Sequence, residues 1–205
     1  MSKPARTAPV TDAEIDRMTQ ELVAGDPPHT AEALFVAHGR SGVRTLWSPL
    51  PEQLPLDGHR FLLAHWTAAR GTAAMPPAAA IDPFVLKPVL GNLQIIEPID
   101  GGADFRIRLY GSVLAEAVRF DWTGGSLSEM RRVLKGPGPG FFIAAYRAQL
   151  QRREPLYTAN PAAVVFERRA WGRLLLPFGD APSGPVARIL VGNYVVTQDL
   201  SLIHI

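Results

Sequence analysis

The sequence predicts an α+β fold in which helices interrupt an antiparallel sheet, and three observations lead there. Phe105, Ile107 and Leu109 alternate with Arg106, Arg108 and Tyr110, the period of a strand with one buried and one wet face. A strand over residues 93–99 precedes it across Gly101-Gly102, which makes a hairpin. Three further strand candidates, about 157–167, 172–178 and 186–196, come only after a run of helical segments, so the later strands are expected antiparallel.

From the start of the chain, Thr11 stands three residues before Glu14, the spacing of a capping box. Ile15, Met18, Leu22 and Val23 then recur at helical intervals until Gly25. Pro27-Pro28 interrupts, Thr30 is placed to cap a second helix to about residue 38, and Gly39 supplies a left-handed stop. Prolines at 49, 51 and 55 make residues 40–56 read as a connector. Two small helices on a linker bury too little alone, so they are expected to dock on the main domain or on a partner chain.

Asp57 is placed to cap a helix in which Phe61, Leu62, Trp66 and Ala69 share a face and which Gly71 ends. Ile81-Asp82-Pro83 reads as a helix entry, with Asp as cap and proline at the first helical position. After the hairpin, Gly111 opens a helical stretch over 112–118, and a charged helical segment ends near Lys135. The run Gly136-Pro137-Gly138-Pro139-Gly140 breaks the chain before a longer helix over 141–153, with Arg152 and Arg153 in its last turn. The division that follows is an N-terminal helical extension and linker over 1–56, a main domain over 57–196 and a tail over 197–205.

Composition narrows the function classes. A formal charge of +2 with no basic cluster does not call for nucleic acid. The first 25 residues lack the apolar core of a signal peptide, and no stretch is long and apolar enough for membrane insertion, so a cytoplasmic protein is expected. There is no cysteine, hence no disulfide framework. His59 and His65 are badly spaced for a shared metal, and Ser112, Ser126 and Ser128 lack a nucleophile's elbow and histidine. The acids Asp82, Asp121 and Asp180 read as caps and turns rather than a catalytic pair, so no enzyme is expected.

The order of Trp66, Asp82-Pro83, Arg106-Ile107-Arg108-Leu109-Tyr110-Gly111 and Arg173-Leu174-Leu175-Leu176-Pro177 resembles bacterial PAS-domain proteins. The resemblance is to a stand-alone PAS-like subfamily with a Trp helix, an I-D-P entry and R-x-R-L-x-G, and spans roughly 57 to 196. It implies a five-stranded antiparallel sheet with helices on one face, inserted between its second and third strands. It also implies a sensory or signalling role through a small-molecule ligand, a downstream signalling protein or both, without catalysis, in a homodimer paired through flanking helices. Lack of cysteine removes the cysteinyl-flavin and thioester-chromophore modes of light sensing, and lack of histidine on the long helix argues against haem. No cofactor is named by the sequence.

A pocket in such a domain would be lined by Ile107, Leu109, Trp122, Tyr146, Leu174 and Asn193. Asn193 falls on the apolar face of the last strand, where its amide needs either backbone partners or a bound small molecule. Relatives carry glycine where this chain has Arg119, a cation able to narrow or recharge the cavity mouth. Arg106, Arg108 and Arg188, joined by Arg173, are expected on the outer face, either solvated or receiving an acidic helix with Glu14, Asp16 and Glu21. With only a short tail after Val196, output is expected to pass through a partner; the alternative is a ligand-free structural adaptor or protein-interaction module.

Overall fold

Thr11 caps the first helix as the sequence suggests. Its hydroxyl accepts from the Glu14 N–H while the Glu14 carboxylate accepts from the Thr11 N–H, and Gly25 closes the helix in the left-handed region. The computed structural model describes residues 9–162, 169–181 and 184–197. Six α-helices run Asp12–Ala24 (α1), His29–Ala37 (α2), Asp57–Arg70 (α3), Ser112–Val118 (α4), Leu127–Val133 (α5) and Gly138–Arg152 (α6). Six strands run Arg44–Trp47 (β1), Leu93–Ile99 (β2), Asp104–Tyr110 (β3), Leu156–Pro161 (β4), Arg169–Gly179 (β5) and Val186–Thr197 (β6).

All six strands form one antiparallel sheet in the order β1-β4-β5-β6-β2-β3. The sixth strand was hidden in the proline-bearing connector. Only four residues long, β1 pairs with β4 at the sheet's edge, where the prolines that follow it cost no ladder bonds.

Both faces of the sheet are covered, which explains why β5 carries the unbroken apolar run Leu174-Leu175-Leu176 instead of an alternation. On one face α6 packs with α5, Trp122 and the inward residues Ile96, Phe105, Ile107, Leu175, Ile189 and Val191. On the other, α3 brings Leu62, Leu63 and Trp66 against Leu93, Leu174, Leu176, Phe178 and Leu190. Trp66 donates its indole N–H to the Pro177 carbonyl at 2.7 Å. Gly192 lets α3 settle closely, since a Cβ there would overlap Leu62 Cδ1. The helices expected on one face thus occupy two.

The N-terminal helices dock on this body. Ile15, Met18 and Leu22 of α1 join the core on α6, and Phe35 of α2 meets Phe141 edge-on at 6.3 Å between centroids. Asp12 and Asp16 pair with Arg131 and Arg147 at 2.7 and 3.0 Å. The acidic helix therefore lies against α5 and α6, not on the arginine-bearing sheet face. There Arg108 and Arg188 both pair with Glu97, at 3.5 and 2.9 Å.

Five local readings change. Asp57 is the first residue of α3 and not its cap, which is Leu56 with no side-chain capping bond. Thr30 lies inside α2, held by the Glu21 carboxylate, rather than capping it. Asp82 accepts from the Phe84 N–H at 2.8 Å and makes a turn, where a helix was expected. α6 starts inside the Gly-Pro run, because Pro139 takes a first-turn position that needs no N–H partner. The strand expected over 157–167 ends at Pro161; residues 163–167 and 198–205 lie outside the described residues.

Candidate functional site

β3 does not keep its alternation to the end. Ile96 pairs with Ile107 and Ile95 with Leu109, so Arg108 is left over as a bulge. Beyond it the phase inverts, and Tyr110 turns to the α6 side while Leu109 packs on the α3 side. On its other edge Ile107 is fixed by the Gly124 N–H, which its carbonyl accepts at 2.7 Å, and by the Gly125 carbonyl at 2.9 Å.

That inversion splits the expected pocket. Ile107, Trp122 and Tyr146 share the α6-side core, and Asn193 faces the same side by its register opposite Arg173. Leu109 and Leu174 sit behind the sheet with α3. Arg119 is exposed at the left-handed C-cap of α4, with φ 58°. A leucine at 174 cannot face inward once Arg173 does, since neighbouring strand residues point opposite ways.

Arg173 is the residue the sequence misplaced. It is 1% exposed on the α6 side, its guanidinium lying over the Phe142 ring at 3.5 Å from the centroid. Directly beside it are Thr158 on β4 and Asn193 on β6, the partners that put all three in one row across the sheet. Such neighbours have Cβ atoms about 5 Å apart. Next to this row Tyr146 of α6 donates to Gln94 Oε1 at 3.5 Å, and Tyr110 pairs with Gln94 in the ladder.

The row is polar, buried and unsatisfied. Arg173 Nε and Nη2, Thr158 Oγ1, Asn160 Oδ1 and Asn193 Oδ1 have no hydrogen-bond partner among the described residues. A buried charge is ordinarily paired, yet no described carboxylate bonds to Arg173. Burial lowers its pKa to about 10, with the Tyr146 and Tyr110 hydroxyls opposing, so it stays a cation at neutral pH. Burial raises both phenols, Tyr110 to about 12. The site therefore offers a fixed positive charge, neutral phenols and unmet acceptors.

A second buried polar group lies behind the sheet. His59 of α3 reaches the Gly172 carbonyl through Nε2 at 3.3 Å and stands edge-on to Tyr157 and Tyr194, with centroids 5.4 and 4.8 Å away. Burial depresses its pKa to about 4, against hydrogen bonds to the Gly172 and Gly192 carbonyls that raise it. It is a neutral packing histidine and does not reach Arg173, from which the sheet separates it. Among the described residues no three His, Asp or Glu side chains gather to hold a metal, and no helix is long and apolar enough to cross a membrane.

Comparison with family models, with curated proteins and with solved structures gives no match.

Proposed function

We propose that the chain is a PAS-like sensory module that binds a small molecule between its sheet and α6 and signals by changing contacts, without catalysis. The observation that carries this reading is the row Thr158-Arg173-Asn193, buried and short of partners. Buried polar atoms need partners, and at a helix-covered sheet face a small molecule is able to supply them. The layout supports the PAS-like part: β2 and β3 open as a hairpin, α4 to α6 are inserted, and β4 to β6 complete five strands, with β1 and α3 as additions.

Non-catalytic use is supported by the protonation states. Arg173 stays charged and the phenols neutral across ordinary pH, and His59, the one buried histidine among the described residues, is on the far side of the sheet, so none of the described groups of the layer is poised to trade a proton near neutrality. Ligand occupancy would reach α1 through α6, which packs on the sheet with one face and on α1 with another. A homodimer passing this change to a downstream signalling protein completes the proposal, and such coupling requires that the ligand bind one arrangement better than the other.

Native mass spectrometry of freshly purified protein tests the reading. A small molecule lost on denaturation is the expected result; a mass equal to the bare chain, unchanged after incubation with a metabolite extract, overturns it. The ligand-free adaptor is favoured by one observation, that Phe142 already covers one face of the guanidinium.

A further inference from the structure

We infer that the Arg173 site takes a small carboxylic acid bearing a hydrogen-bond donor, a hydroxy or amino acid, held by the edge of the guanidinium. The inference rests on the reading of the α6-side layer as a ligand site. Its first support is which donors are free. Nε and Nη2, the unsatisfied nitrogens, lie along one edge of the planar group and donate in parallel. Two oxygens of a carboxylate fit that edge bidentately, which a neutral carbonyl or a single halide cannot do.

Geometry narrows the ligand further. Phe142 occupies the flat face of the guanidinium at 3.5 Å, so a stacking aromatic ring is denied that face. Beside Arg173, Asn193 Oδ1 lacks a donor, and so do Thr158 Oγ1 and, one diagonal step away, Asn160 Oδ1. The Asn160 amide is oriented by its own Nδ2, which donates to the Pro161 carbonyl at 3.2 Å, so its oxygen is an acceptor. A ligand that meets these atoms brings O–H or N–H groups near its carboxylate. On one side of the polar row lie the fully buried Leu175 and Val191, which close it; on the other Trp171 is partly exposed and Val195 is 42% exposed, so that end lies nearer the surface.

Charge points the same way. A buried guanidinium with no described carboxylate bonded to it carries a desolvation cost that an anionic ligand offsets. A tetrahedral phosphate would present more acceptor oxygens than one guanidinium edge and the Thr158 hydroxyl satisfy, beside the Asn160 and Asn193 oxygens, which are themselves acceptors.

The test uses the full chain and three measurements. Thermal shift and calorimetry with acetate, lactate, glycine and malate are compared with lactamide and inorganic phosphate. Binding of lactate, glycine or malate at least tenfold tighter than lactamide or acetate is expected. Arg173→Lys, which keeps the charge and loses the fork, should weaken it about tenfold or more. Arg173→Met should abolish it while raising the melting temperature of the ligand-free protein, because an uncompensated charge is gone. In nitrogen-15 spectra the Arg173 Nε–H resonance should move downfield with lactate and not with lactamide. Equal binding of acid and amide, phosphate binding alone, no response to any acid, or undiminished binding in Arg173→Lys overturns the assignment. If a neutral molecule copurifies and stays with Arg173→Met, the small-molecule reading stands and the carboxylate falls; if nothing copurifies and no acid binds, both fall.

Discussion

His59 shows how a buried side chain writes itself into the pH dependence. Free in the unfolded chain it protonates near pH 6.5, whereas in the fold it resists until about pH 4. Between those values the unfolded state binds more protons, so stability falls as pH falls through the window and is complete above it. At about 1.4 kcal/mol per pH unit, the loss by pH 5 is about 2 kcal/mol. Urea midpoints at pH 7.5 and 5 should differ accordingly, and His59→Phe, which cannot titrate, should flatten the difference; an unchanged slope in that variant would show that other groups set it. Arg173 shows the opposite, a residue the sequence conceals. The run Leu174-Leu175-Leu176 after it has no alternation, because both sides of β5 are covered, so nothing local says which way the charge points. The habit of placing arginine outside then gave the wrong side. Asn193 was legible because Ile189, Val191 and Asn193 keep a strict two-residue period on β6.

Among the elements, those with a self-contained signal were readable. The Thr11-Glu14 box fixes the start of α1 within its own first turn, and Thr11→Ala should cost about 1 kcal/mol in urea unfolding, less than any deletion from its apolar stripe. Elements set by distant partners were not readable. β1 exists because β4 is there to pair with it, and Asp82 makes a turn because its carboxylate finds the Phe84 N–H before any helical partner. Gly111 joins both kinds: its place between strand and helix was evident, but not its contact. A Cβ there would overlap the Gly91 carbonyl, backbone that cannot rotate away. Gly111→Ala should therefore cost on the order of 1–3 kcal/mol, read as a lowered melting temperature, and alanine is also a poorer N-cap for α4 than glycine. A stabilised variant would mean that the adjoining 3-10 turn, Lys87–Asn92, yields instead.

At the scale of the molecule, the sheet is shared by two cores, α6 with α1 on one side and α3 on the other. Damage on either side should then be felt by both. Ile15→Ala in α1 and Leu62→Ala in α3, each removing a buried side chain, should each cost about 2–5 kcal/mol and leave one calorimetric transition. A separate early transition in Ile15→Ala would show α1 and α2 melting alone. The α+β layout was legible at this scale because the hairpin and the late strands carry their own patterns, whereas the second covered face depended on where α3 docks. Arg108 ties the scales together. One surplus residue acts as a half-twist in the chain's left-right bookkeeping, sending a phenol toward the arginine and a leucine toward α3. Ironing the bulge out, with Arg108 drawn into the ladder opposite Ile95, would swap those two destinations at a stroke, so that the guanidinium would face hydrocarbon and the greasy rear would receive a hydroxyl, with no change in the amino acids themselves.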